Sequence, residues 1–378
     1  MIEVAPYTTV LAEQLRERIK REGPITFREW MRAALYDEAE GYYRRPHQIW
    51  GREGDYRTSP ERSGLFAATF ARYFAGLYQR LDNPRSLTLV EMGGGAGHFA
   101  FGVLQTLQAY FPQVFAATRY VFDEISITAQ TAAQQRLLQF SGCVEFASVT
   151  DIEIDPGIVF SNELLDAFPV HRLTLLAGTL CEYYVTLGSD EQFAWMIGPA
   201  STPEVAEYLH RHDLRLREGQ VAEVSLEMEA WLAKVATKLR RGYLVTVDYG
   251  AEAAELYSSA ERERGTLRSF HRHAFVENLL AAPGDSDLTS TINWTAVRSA
   301  GESLGLETVQ FARQDKFLLA AGLLDQLQLE TANVNESDRL RLSTAAREML
   351  LPNGMAANFQ VLVQEKLSAA NDLGTGGE

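Results

Sequence analysis

The chain has 378 residues, of which 46% are hydrophobic and 22% charged, an ordinary globular balance that excludes a disordered or membrane-dominated composition. Its 35 basic side chains against 50 acidic ones give a formal net charge of −15. That field repels polyphosphate and excludes nucleic acid as a first choice of partner, while it suits a basic partner or simple solubility. Cys143 and Cys181, the two cysteines, have neither CxxC spacing nor a nearby histidine cluster, so neither a disulfide framework nor a cysteine-rich zinc site is expected.

Met1 to Thr9 lacks the basic start and apolar run of a secretion signal, and no run reaches the ~18 apolar residues of a membrane span. A cytoplasmic protein without membrane insertion is expected. Val10, Leu11, Leu15 and Ile19 recur at helical spacing before Gly23-Pro24 stops the helix. Thr26 and Glu29 have capping-box spacing and open a second helix through Leu35. An aromatic and basic loop, Tyr42 to Glu61, leads to a third helix after Pro60.

From Leu87 onward short apolar runs alternate with helical stretches, the pattern of a parallel sheet with crossover helices. Seven strands are expected, near 87–92, 119–123, 144–149, 157–162, 242–248, 305–311 and 358–364, with helices near 97–110, 126–140, 225–240 and 294–304. The fold class is therefore α/β and Rossmann-like, mostly parallel. The alternation in Val170 to Ile197 marks an inserted antiparallel element. The expected division is an N-terminal helical segment with a possible lid (1–82), the first part of the core (83–169), the inserted β lobe (170–222), core again (223–250), a second insertion (251–293), core (294–312), a helical insertion (313–350), the last core strand (351–370) and a glycine-containing tail (371–378).

The strongest local signal is Glu91-Met-Gly93-Gly-Gly95-Ala-Gly97 at the end of the first core strand, where a backbone without side chains turns tightly and lets a ligand approach. A dinucleotide fingerprint matches imperfectly: from Gly93 its last glycine falls on His98, and from Gly95 on Ala100. The spacing E-x-G-x-G-x-G fits better, with a glycine-rich turn holding no ligand as the plain structural reading. Glu124, after the second strand, stands where an acid accepts hydrogen bonds from a ribose diol or merely favours a helix start. Asn162, Glu163 and Asp166 follow the fourth strand, either as substrate acceptors or as caps of a short turn. Asp248 and Tyr249 end the fifth strand, projecting an acid and an aromatic toward the crevice, the ring able to pack on adenine, a sulfonium or a substrate cation. His210-x-His212 and His271-x-His273 lack a third ligand at motif spacing, so no metal is expected.

Taken together, the separated motifs resemble the MidA-like methyltransferase family, whose members include a mitochondrial complex I assembly methyltransferase. The landmarks are Gly23-Pro-Ile-Thr-Phe, Gly41-Tyr-Tyr, Gly54-Asp55-Tyr-Arg57-Thr58-Ser59-Pro60-Glu61, Glu91 to Gly97, Glu124-Ile-Ser126, Asn162 to Pro169, Asp248-Tyr-Gly250, Gly265-Thr-Leu-Arg268 and Leu351-Pro-Asn-Gly354-Met. The resemblance implies a class I methyltransferase fold using S-adenosyl-L-methionine, with Glu91, Gly93, Gly95, Gly97 and Asn162 near the cofactor and Glu124 on its ribose. Thr58, Ser59 and Pro60 would close over it on a lid. It implies an arginine side chain of a protein, such as a respiratory complex I-type subunit, as acceptor; Glu163 and Asp166 would hold the guanidinium, with Asp248 and Asp55 as further candidates behind them.

The chain departs from the family pattern in two places. Gly94 stands where the family has Pro, and Ile292-Asn293-Trp294 replaces Val-Asp-Phe, removing a carboxylate in a way that bears on the acceptor. The rival readings are an NAD(P)-dependent oxidoreductase and a non-enzymatic assembly factor that has kept the cofactor fold.

Overall fold

The computed structural model describes residues 9–45, 64–271, 274–351 and 358–367. Seven strands build the central sheet: β1 (Leu87–Met92), β2 (Thr118–Asp123), β3 (Val144–Phe146), β4 (Gly157–Asn162), β5 (Gly242–Ala251), β6 (Glu307–Arg313) and β7 (Phe359–Lys366). Their spatial order is 3-2-1-4-5-7-6, and β7 alone runs antiparallel to its neighbours β5 and β6. A short eighth strand, Ile292–Asn293, extends the end of β5 in parallel. Every residue of β1 is buried, as expected of strands covered by helices on both faces, and this explains why they read as unbroken apolar runs. The order reverses between β1 and β4, so their carboxyl ends open the crevice in which ligands of such sheets bind.

Helices Gly64–Arg80 and His98–Tyr110 pack on one face of the sheet, where Phe70, Phe74 and Phe99 meet Phe160 of β4. Helices Leu226–Lys238 and Trp294–Ser303 cover the other. Two element ends differ from the sequence reading. β3 stops at Phe146 rather than 149, because the chain turns into a short 3₁₀ segment, Val149–Asp151, whose first amide donates to the Asp123 carboxylate at 2.7 Å. The helix expected to 140 ends at Arg136 and gives way to a 3₁₀ turn, Leu138–Phe140.

Between β4 and β5 lies a separate five-stranded sheet. His171–Leu176, Thr179–Leu187 and Val221–Val224 run antiparallel, and Phe193–Pro199 pairs with Thr179–Leu187. Its remaining strand comes from far away: Ile25–Thr26 pairs with Val185 and Tyr184. The first two helices, Val10–Glu22 and Phe27–Tyr36, pack on this sheet through Leu15, Phe27, Trp30 and Val185, forming a third core. The second opens with both halves of the Thr26–Glu29 capping box in place. A three-stranded antiparallel sheet, Arg268–His271, Ala274–Val276 and Asp287–Thr289, completes the insertions, and helices Gln314–Ala320, Leu323–Thr331 and Glu336–Leu350 lie between β6 and β7.

Candidate functional site

A cleft of about 690 Å³ opens over the carboxyl ends of β1, β2, β4 and β5, within the range of small-molecule and cofactor sites. One side is built from the glycine turn. Gly93 and Gly95 have φ of +68° and +54°, the left-handed region that residues with a Cβ enter at a cost, and the Gly93 amide donates to the Asp123 carbonyl at 2.7 Å. Gly97 precedes helix His98–Tyr110 without a side-chain cap, which leaves the positive end of that helix to face the cleft. Burial, with help from Arg136, lowers the His98 pKa to about 4, so this cleft residue is neutral at pH 7.

Two acids flank the turn. Glu124 uses one carboxylate oxygen to accept the Gly95 amide and the other to accept the Ser126 amide, both at 2.8 Å. A carboxylate offers about four lone-pair sites, so acceptor capacity remains for a neighbouring diol. Burial raises the Glu124 pKa, against the pull of those amides. Glu91, at the end of β1, accepts the Tyr120 hydroxyl at 2.7 Å, and burial raises its pKa to about 8. Asn162, at the end of β4, donates to Glu163 at 3.1 Å, while its carbonyl oxygen is buried with no hydrogen-bond partner. The mixture fits S-adenosyl-L-methionine: backbone amides on the turn, a buried acceptor at the end of β4 and a carboxylate for a diol.

The far side is an acidic and aromatic corner. Glu163 adopts φ of +52°, an uncommon conformation for a non-glycine residue, and its amide donates to the Val247 carbonyl at 2.9 Å. Asp166 is 4% exposed. One of its carboxylate oxygens accepts the Tyr249 hydroxyl, and the other is buried without a hydrogen-bond partner. Burial and the nearby Asp287 push the Asp166 pKa up, to about 7, against the Tyr249 hydrogen bond and Arg268. Asp287 accepts the Tyr43 hydroxyl at 2.8 Å, and Tyr36 donates to the Ala167 carbonyl at 3.0 Å.

Several residues lie elsewhere than their sequence motifs suggest. Asp248 is fully buried and does not line the cleft: its carboxylate accepts the amides of Leu165, Asp166 and Tyr249 at 2.9, 3.3 and 2.9 Å. Adjacent strand residues point to opposite faces, so β5 can send Tyr249 or Asp248 into the cleft and sends Tyr249. The Tyr249 ring is already covered by the Arg268 guanidinium, 4.7 Å from its centroid, with Phe359 against it at 5.4 Å. Asn293 is no cleft residue either; it caps helix Trp294–Ser303 by accepting the Ala296 amide at 3.2 Å, so the missing carboxylate leaves the acceptor corner untouched. Thr58, Ser59, Pro60 and Asp55 lie outside the described residues. In the acidic and aromatic corner the sequence reading missed Asp287 and Tyr36, while Tyr43 and Arg268 stood in it only as the ends of family landmarks.

The model of a family of S-adenosyl-L-methionine-dependent methyltransferases matches residues 69–312. The chain is 28% identical over 321 residues to the Drosophila melanogaster homologue of protein arginine methyltransferase NDUFAF7, covering 78% of this chain and 70% of that one. It is 24% identical over 379 residues to the human mitochondrial NDUFAF7, covering 93% and 82%. A crystal structure from Burkholderia thailandensis bound to S-adenosyl-homocysteine shares 29% identity and a TM-score of 0.81, covering 94% of this chain and 92% of that chain. With strand order 3-2-1-4-5-7-6 this is the class I methyltransferase fold. No helix among the described residues is long and apolar enough to cross a membrane. Turn, sheet order and family match agree, and the chain belongs to the S-adenosyl-L-methionine-dependent methyltransferases.

Proposed function

We propose that the protein methylates an arginine side chain of a partner protein, such as a respiratory complex I-type subunit, in a reducing cytoplasmic compartment. The observation that carries this reading is the acidic corner, where Asp166, one of whose carboxylate oxygens is buried without a hydrogen-bond partner, lines the cleft beside Glu163 and Asp287. The names of the NDUFAF7 relatives support the same acceptor.

S-adenosyl-L-methionine supplies an electrophilic methyl group, and its sulfur keeps the bonding pair when that methyl leaves. The protein's work is then alignment and proton removal. A guanidinium is always protonated in water, so its attacking nitrogen must give up a proton as it gains the methyl. Asp166 is the acceptor for that proton: a base with a pKa near the working pH combines the correct charge state with adequate driving force. Glu163 and Asp287 hold the cation by charge. Glu124 and the glycine turn hold the cofactor's ribose and methionine ends, with Asn162 and Glu91 beside them.

The test is binding first, then transfer. Calorimetry should give saturable binding of S-adenosylmethionine and S-adenosylhomocysteine and none of NADH. Labelled methyl transfer into lysate from cells lacking the protein, followed by peptide mapping, should place the label on arginine. Cofactor binding without transfer to any protein would instead leave an assembly factor, and label on another residue type would overturn the acceptor.

A further inference from the structure

Arg268 is half-buried in the cleft wall, yet it forms no ion pair among the described residues. Its position is held from several directions. Glu223, a buried acid of the inserted sheet, accepts the Thr266 amide at 2.7 Å and the Thr266 hydroxyl at 3.1 Å. A Cβ on Gly265 would lie 2.2 Å from Glu223 Oε1, and Gly265 has φ of +89°, so a glycine is needed for the turn to approach that acid. Thr266 in turn accepts the Thr291 amide at 3.2 Å, and Thr291 accepts from Arg268 Nη2 at 3.4 Å. The guanidinium is thus laid over Tyr249, whose hydroxyl bonds Asp166.

We propose that Arg268 is a positioning residue for methyl transfer: acting across the Tyr249 ring, it keeps Asp166 as the carboxylate that takes the acceptor's proton. The surroundings otherwise oppose that charge. Asp248 and Tyr249 face Asp166 from β5, Asp287 from the strand Asp287–Thr289, Tyr36 and Tyr43 from the N-terminal helical segment, and Glu163 from the same loop. Arg268 is the cation in this group, and it favours the ionised form. Its stacked position keeps the guanidinium off the second Asp166 oxygen, which has no hydrogen-bond partner and which a direct ion pair would occupy. The role goes to Arg rather than Lys because a planar guanidinium stacks on an aromatic face and stays charged at every working pH.

This inference rests on the arginine-acceptor reading, and its test separates the two. In protein labelled at the aspartate carboxyl carbon, the Asp166 resonance, identified by its loss in Asp166→Asn, should titrate near neutrality. In Arg268→Gln the midpoint should rise by about one pH unit, the scale for a charge roughly one ring away in a partly dry cleft; in Arg268→Lys, which keeps the charge but not the planar stack, it should rise by less. Thr291→Val, which removes only the hydrogen bond steadying the guanidinium, should give a smaller rise and serves if Arg268→Gln does not fold. The acidic limb of the turnover profile should move with the midpoint. An unmoved midpoint in both variants overturns the inference, whatever the acceptor. A shifted midpoint in a protein that never methylates arginine supports the charge coupling and sinks the acceptor reading alone.

Discussion

Asp248 accepts the backbone N–H of Asp166 at 3.3 Å, so one aspartate holds the main chain of another whose side chain meets the cleft. The two should therefore respond differently to the same change. Asp166→Asn should cut turnover by about 100-fold, the usual contribution of a proton-accepting side chain, with cofactor affinity kept and stability at pH 8 unchanged or raised. Asp248→Ala should lose about 2–4 kcal/mol of stability, because three buried amides lose their acceptor. Thermal melts alongside single-turnover rates distinguish the pair; equal melting losses in both variants would contradict the assignment.

Glu124 ties the glycine turn to the second strand through two amides. Glu124→Ala should weaken S-adenosylhomocysteine binding at least tenfold, roughly 1.4 kcal/mol, by removing both the diol acceptor and the brace on Gly95. Calorimetric titration reads this directly, and unchanged affinity would place the ribose elsewhere.

Stability should fall as the pH rises from 5 to 9. Glu91 has its folded pKa raised to about 8 by burial, against an unfolded value of ~4.3. The folded state therefore binds the proton more tightly over that interval, and the stabilisation, complete below the unfolded pKa, is lost as the pH passes through the folded one. Its size is on the order of 5 kcal/mol for a shift of this extent. Chemical denaturation at pH 5, 7 and 9 should show this slope, with a weaker slope in Glu91→Gln; equal slopes would assign the effect to other groups.

A Cβ added to Gly94 would lie 2.4 Å from the Phe122 ring. Gly94→Ala should therefore cost about 1–3 kcal/mol by overpacking, and Phe122→Leu in the same chain should recover part of it. A double-mutant cycle measures that coupling, and additive effects would show that the ring is not the obstacle.

The central sheet was legible because strands buried on both faces spell unbroken apolar runs, and the glycine turn because its backbone geometry restricts residue choice. The acceptor corner was only half legible. Asp166 could be named from its place after β4, but which of Asp248 and Tyr249 faces the cleft depends on the strand's phase, which a strand-end motif does not reveal. Asp287 sits in a segment without clear periodicity, and Tyr43 reaches it across 244 positions of sequence. Asn293 looked like a lost carboxylate because its helix-capping duty depends on the helix that begins beside it.

The pairing of Ile25–Thr26 with Val185 and Tyr184 also bears on how the chain can be shortened. These residues finish the rim of a sheet whose other strands are made much later, and a bare strand rim invites other chains to add to it. The cut that looks natural from sequence, just before the catalytic core, would remove that cover together with Tyr36 and Tyr43. The smallest dependable unit therefore begins upstream of Val10, and a shorter fragment should be recovered as self-associated material rather than as a minimal enzyme.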